Sequence, residues 1–140
     1  MKQNAVLNIC GTQYYPGMDP EVIELTTDGT LEFVDGGWNV CYEESELTGL
    51  KGTITTFRLE PGRVILRRTG ALRSEMIFRE GVPHDSLYQM DFGTLLLSVC
   101  AKSIEASITQ QGGTIDLAYA VSIEHGEAGI VEYHLDITVK

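Results

Sequence analysis

At 140 residues the chain is long enough for one domain that holds a core without disulfide or metal staples. With 43% hydrophobic and 21% charged residues and no long like-charged block, it is globular rather than disordered. A net charge of −10 repels phosphate, which disfavours nucleic acids and anionic membranes as partners.

Residues 4–12 alternate, with Ala5, Leu7 and Ile9 on one face, and this period of two predicts a strand. Tyr14-Tyr15-Pro16-Gly17 breaks it, since proline lacks an N–H and glycine tolerates positive φ. Residues 22–26 read as a second strand, and Thr27-Asp28-Gly29 predicts a hairpin turn of the Asp-Gly type. Leu31 and Phe33 would start the return strand, and Asp35-Gly36-Gly37 repeats the turn chemistry. Trp38, Val40 and Tyr42 then share one face of a strand. The acidic segment 44–52 has room for one helical turn, but two glycines and its shortness favour a loop. Thr53, Thr55, Phe57 and Leu59 alternate with Ile54, Thr56, Arg58 and Glu60, and β-branched and aromatic residues suit a pleated surface. Pro61-Gly62 signals a type II turn.

Val64, Leu66 and Arg68 form one face of the next strand, which Gly70 breaks. Residues 74–78 and 86–90 predict short strands, ended by Gly81-Val82-Pro83 and Asp91-Phe92-Gly93. Residues 94–101 are nearly continuously apolar and are expected to form the most buried strand. Ile104, Ala106 and Ile108 alternate, and Gln111-Gly112-Gly113 turns the chain. Ile115, Leu117, Tyr119, Val121 and Ile123 keep the period, and Val131, Tyr133, Leu135, Ile137 and Val139 repeat it. About eleven or twelve short strands, with turn signals every 8–12 residues and no convincing helix, predict an all-β fold. A mostly antiparallel meander closed into a barrel, one domain over residues 1–140, leaves no exposed edge.

Cys10, Cys41 and Cys100 each fall in an apolar run, and an odd number without framework spacing predicts reduced, buried thiols in a cytosolic protein. Leu7-Asn8-Ile9-Cys10 departs from a lipoprotein cleavage site, because Ile9 is too large for the position before the cysteine. Neither a signal peptide nor an apolar run of about 18 residues is found.

The motif Tyr42-Glu43-Glu44-Ser45-Glu46-Leu47-Thr48-Gly49, with Gly52-Thr53 and Thr55-Thr56, resembles the opening motif of the YwiB-like family. Arg68-Thr69-Gly70 with Met76-Ile77-Phe78, and Tyr88 with Phe92-Gly93-Thr94-Leu95, are similar to that family too. The resemblance runs from Ile9-Cys10-Gly11-Thr12-Gln13 to the last strand. It implies a lipocalin-like, or calycin-like, antiparallel barrel in a cytosolic bacterial setting. It implies no activity, since the family has none assigned, and fold does not fix function.

All six arginines fall between Arg58 and Arg79, while the four lysines lie outside that window. If Val64 and Leu66 face inward, Arg68 does too. A guanidinium at a barrel mouth can clamp a carboxylate or phosphate at two points. The competing and favoured expectation is a structural ion pair with Glu44, which is in phase with Tyr42. Trp38, Tyr42, Tyr88, Tyr119 and Tyr133 share the apolar parity of their strands, so they either line a cavity or fill the core. His84 and His125 are assigned to turns and His134 to the polar face of the last strand, without metal-ligand spacing. The glutamates Glu43, Glu44 and Glu46 read as a solvated loop rather than paired catalytic carboxylates.

The leading expectation is a cytosolic binding protein for a small amphipathic or anionic molecule, held in or at the mouth of the barrel. Its ligand-binding residues would be Arg68, Tyr42, Glu44, Trp38, Tyr88, Tyr119 and Tyr133, with no metal and no cofactor. The expected partner is that small molecule, not nucleic acid and not membrane, and a homodimer is compatible with the pattern. Two alternatives stand: an interaction or structural module with a solid barrel, and a hydrolase or isomerase using the cavity, with catalysis the less favoured. An open cavity separates the first and last readings from the solid module.

Overall fold

The computed structural model describes residues 2–126 and 128–140, with Thr48 and Ala128 described by backbone alone. Inward apolar and outward polar residues alternate along ten strands of the described chain. These are β1 (Lys2–Tyr14), β2 (Glu21–Val34), β3 (Gly37–Glu43), β4 (Thr53–Glu60) and β5 (Arg63–Gly70). They continue as β6 (Leu72–Phe78), β7 (Pro83–Met90), β8 (Gly93–Thr109), β9 (Gly112–Ile123) and β10 (Ala128–Val139). Each strand pairs antiparallel with the next, and β1 also pairs with β10 from Ala5↔Val139 to Tyr14↔Ile130, which closes the barrel.

Cross-strand register stacks the interior in layers. Trp38, Leu59, Val64 and Phe78 are register partners across β3 to β6. One layer up come Val40, Phe57, Leu66 and Met76, all fully buried. The next layer changes character: Tyr42, Thr55, Arg68 and Ser74 are buried and polar. The barrel is therefore an apolar plug with a polar tier near one end. At that end run the connections β1–β2, β3–β4, β5–β6, β7–β8 and β9–β10. The β3–β4 connection carries one 3₁₀ turn, Glu46–Thr48, where Ser45 Oγ accepts from the Leu47 N–H and Gly49 closes the turn at φ 78°.

Ten strands replace the expected eleven or twelve, for two physical reasons. Residues 27–29 do not turn: β2 runs straight through, with Leu7↔Thr27 and Ala5↔Gly29 in register. Gly29 serves a close approach instead, since a Cβ there would meet the Cys41 carbonyl oxygen at 2.5 Å and Leu7 Cδ1 at 2.7 Å. Likewise residues 94–101 and 104–108 are one strand, β8, bent by a register shift between Ala101 and Ser103. Nor is residue range 94–101 the most buried. Leu95 is 37% exposed, whereas Val64, Ile65 and Leu66 of β5 are consecutively buried. The cysteines are free but half-buried rather than buried. His84 belongs to β7, not a turn, and its Nδ1 accepts from the Ile77 N–H at 3.3 Å.

Among the described residues no helix is long and apolar enough to cross a membrane.

Candidate functional site

Arg68 sits on the inward parity of β5, three residues after the buried Ile65 and two before Gly70. It is only 5% exposed. Three other arginines of the window form ion pairs along the wall: Arg58 and Arg63 both pair with Glu60, and Arg67 pairs with Glu75 at 3.0 Å. Arg68 instead meets phenols. Its Nη1 donates to Tyr88 Oη at 2.7 Å and its Nη2 to Tyr133 Oη at 3.3 Å. Among the described residues its Nε has no hydrogen-bond partner, nor has Ser74 Oγ on the register partner of Arg68.

The expected Arg68–Glu44 ion pair does not form; among the described residues Arg68 makes no ion pair. The reason is local. Glu44 is turned inward and buried, as its parity requires, but its Oε2 accepts the Thr55 hydroxyl at 2.5 Å. Arg68 meanwhile extends toward β7 and β10. A buried guanidinium held only by neutral groups is an expensive arrangement, because desolvation is not offset by an opposite charge.

A cavity of about 260 Å³ opens above this tier. Arg68, Tyr42, Glu44, Tyr88 and Tyr133 form its polar wall. Ile9, Ile23, Leu25, Leu50 and Val131 form an apolar wall, and Gly11 and Gln13 complete the lining. Gly11 faces Tyr133 in register, and a Cβ at Gly11 would come within 3.3 Å of the Tyr133 ring. The glycine leaves room for that ring, a common use of glycine inside a strand.

Burial and neighbouring charge keep the Tyr42, Tyr88 and Tyr119 phenols protonated. Burial, then the Glu44 charge, pushes the Tyr42 phenol well above its usual range. Burial likewise raises Tyr88 and Tyr119, although the Arg68 charge opposes it at both. For Arg68, burial is the largest influence and opposes the charge, while the surrounding tyrosines favour it and the net shift is upward. The cavity lining thus sets the Arg68 guanidinium and the Glu44 carboxylate apart, with phenols rather than an ion pair against the guanidinium. Because the Tyr88 and Tyr133 oxygens accept from Arg68, their own O–H groups are free to donate elsewhere.

Five of the seven residues expected to bind a ligand meet at this cavity: Arg68, Tyr42, Glu44, Tyr88 and Tyr133. Two do not. Trp38 has the right parity but the wrong height: it is two layers below Tyr42, in edge contact with Phe33 at 5.0 Å. Tyr119 lies in the core, its ring 4.6 Å from Phe78 and 6.5 Å from Tyr133. The apolar wall and Gly11 were not singled out in the sequence. Gly11 carries the one local signal, an isolated glycine inside an alternating strand.

His134 lies on the outer face between two carboxylates, Asp116 Oδ1 at 2.6 Å from Nδ1 and Asp136 Oδ2 at 3.2 Å from Nε2. The Asp116 hydrogen bond is the main reason its pKa is raised above the ordinary value of about 6.5. A raised folded-state pKa stabilises the fold fully below the unfolded value, and that contribution fades as pH rises through the folded one. An NMR titration is expected to place the His134 midpoint above about 6.5, and Asp116→Asn to lower it. A midpoint indifferent to that substitution would contradict the assignment. Among the described residues no cluster of three or more His, Cys, Asp or Glu side chains suits a metal ion.

A family model described as "Domain of unknown function (DUF1934)" matches residues 7–137. The chain is 30% identical over 103 residues to "Uncharacterized beta-barrel protein YwiB" of Bacillus subtilis (strain 168), covering 74% of this chain and 71% of that protein. The crystal structure of the ywiB protein from Bacillus subtilis superposes with a TM-score of 0.82 at 24% identity, covering 96% of this chain and 92% of that one. That likeness carries the barrel fold.

Proposed function

The chain belongs to the family described as domain of unknown function DUF1934, and we propose that its barrel binds a small amphipathic anion in the cavity at its open end. The observation that carries the proposal is Arg68: a buried guanidinium whose partners are two phenols, with Nε unpartnered, beside an open cavity. An anion entering the cavity supplies the opposite charge that the fold itself does not set against Arg68. The facing wall of Ile9, Ile23, Leu25 and Val131 supports an apolar body on the same ligand.

Binding is favoured over catalysis because the phenols of Tyr42 and Tyr88 are pushed up, which removes them as bases near neutral pH. The proposed setting is the bacterial cytosol, where the three free cysteines stay reduced. Native mass spectrometry of protein purified from its own host tests the proposal. A co-purifying small acid, released on denaturation and absent from Arg68→Met, is the expected result. Wild-type protein free of any small molecule, and unmoved in thermal stability by a panel of amphipathic anions, would sink it.

A further inference from the structure

We infer that the anion is a monocarboxylate with a compact apolar body; this rests on the anion-binding reading and narrows it. Three features of the cavity lead there. The first is charge. Among the described residues Arg68 is the one cation lining the cavity, and the Glu44 carboxylate lines it too. A singly charged anion leaves the site one unit negative; a phosphate dianion would leave it two units negative in a partly buried, low-dielectric space. Like-charge repulsion there is far stronger than in water.

The second feature is the count and direction of donors. Tyr88 and Tyr133 each accept from a different Arg68 terminal nitrogen, so each phenol O–H is polarised by the guanidinium and turned away from it. The charge of Arg68 is delivered through two hydroxyl donors. Two donors match the two oxygens of a carboxylate, whereas a phosphate or sulfonate brings three oxygens and leaves one without a partner from this pair.

The third feature is size. A volume of about 260 Å³ holds roughly eight or nine water-sized groups. Taking three for the carboxyl leaves roughly five or six carbons, set against Ile9, Leu25 and Val131. The tail packs on the β10–β1–β2 wall while the carboxylate faces Tyr88 and Tyr133.

Calorimetry at pH 7.5 with hexanoate, hexanesulfonate, hexyl phosphate and hexanol tests this on the intact protein. Hexanoate is expected to bind at least tenfold more tightly than hexanesulfonate, and hexanesulfonate more tightly than hexyl phosphate. Sulfonate and phosphate have nearly the same size, so their difference reads charge. Glu44→Gln is expected to narrow that gap. Tyr88→Phe is expected to weaken hexanoate about tenfold while leaving hexanol unchanged. Hexyl phosphate binding as tightly as hexanoate would overturn the monocarboxylate and leave the anion site standing. Hexanoate binding no better than hexanol, or none of the four binding, would overturn both. Equal losses for hexanoate and hexanol in Tyr88→Phe would assign that phenol to packing and remove the relay.

Discussion

Arg68→Met is expected to leave the barrel as stable as the wild type, or more stable by up to about 4 kcal/mol, while anion binding falls at least a hundredfold. The two halves of this result come from one fact. Bringing a guanidinium into the barrel costs several kcal/mol of desolvation, and two neutral phenols return only part of it. Methionine has a similar reach and fills irregular space without a charge. Tyr88 and Tyr133 line the open cavity, so their freed oxygens can turn to solvent. Urea titrations check it: the midpoint should stay or rise with the slope unchanged. A loss of roughly 3–5 kcal/mol is what the removal of one partner from a buried ion pair produces, and it would return Arg68 to a structural role.

Phe57→Ala is expected to cost about 3–5 kcal/mol, the range for deleting a buried aromatic ring. That is a large part of a typical total stability of about 5–15 kcal/mol. Phe57 is fully buried in the layer directly beneath the polar tier, flanked in register by Val40 and Leu66. Its ring meets Tyr133 edge-on at 5.8 Å, so its loss opens a void under one of the two phenols holding Arg68. Ligand affinity should fall with stability. A loss below about 1 kcal/mol would mean that this layer is loosely filled, and that the cavity reaches deeper than the polar tier.

Much of this was legible from period-two patterning, because a barrel strand must send alternate residues inward. The pattern put Thr53, Thr55, Phe57 and Leu59 in one phase, which is the buried face of β4, and it turned Tyr42 and Arg68 inward; Glu44, in phase with Tyr42 but read as part of a solvated loop, is buried as well. The family anticipated from the motifs around Tyr42–Gly49 and Arg68–Gly70 is the one that the comparisons return. Parity, however, fixes only which way a side chain points. It does not fix its height along the barrel axis, and so Trp38 was placed on the right face at the wrong level, while Tyr119, the register partner of the cavity-lining Val131, packs its ring against Phe78 and Tyr133.

Height depends on how the strands are staggered, and stagger is set by pairings between distant segments. Arg68 reaches Tyr133 across 65 residues of sequence, through a contact that exists only once β10 has joined β1. The Asp28-Gly29 misreading has another origin. Gly29 is needed for the squeeze between the Leu7 side chain and the Cys41 carbonyl, and a local turn signal carries no information about neighbours that far away.

The seam between β1 and β10 has a consequence for how the chain is made. During synthesis β1 precedes the other nine strands of the barrel, yet one of its two edges has no partner until β10 is complete. Nearly the whole barrel must therefore wait with the β10-facing flank of β1, from Ala5 to Tyr14, open to other chains. The seam joins segments as far apart in sequence as Tyr14 and Ile130 or Ala5 and Val139, and pairing so non-local puts assembly with the millisecond-to-second class of β proteins. Substitutions along the β1–β10 seam should lower the yield of soluble protein before they measurably change the stability of the finished barrel.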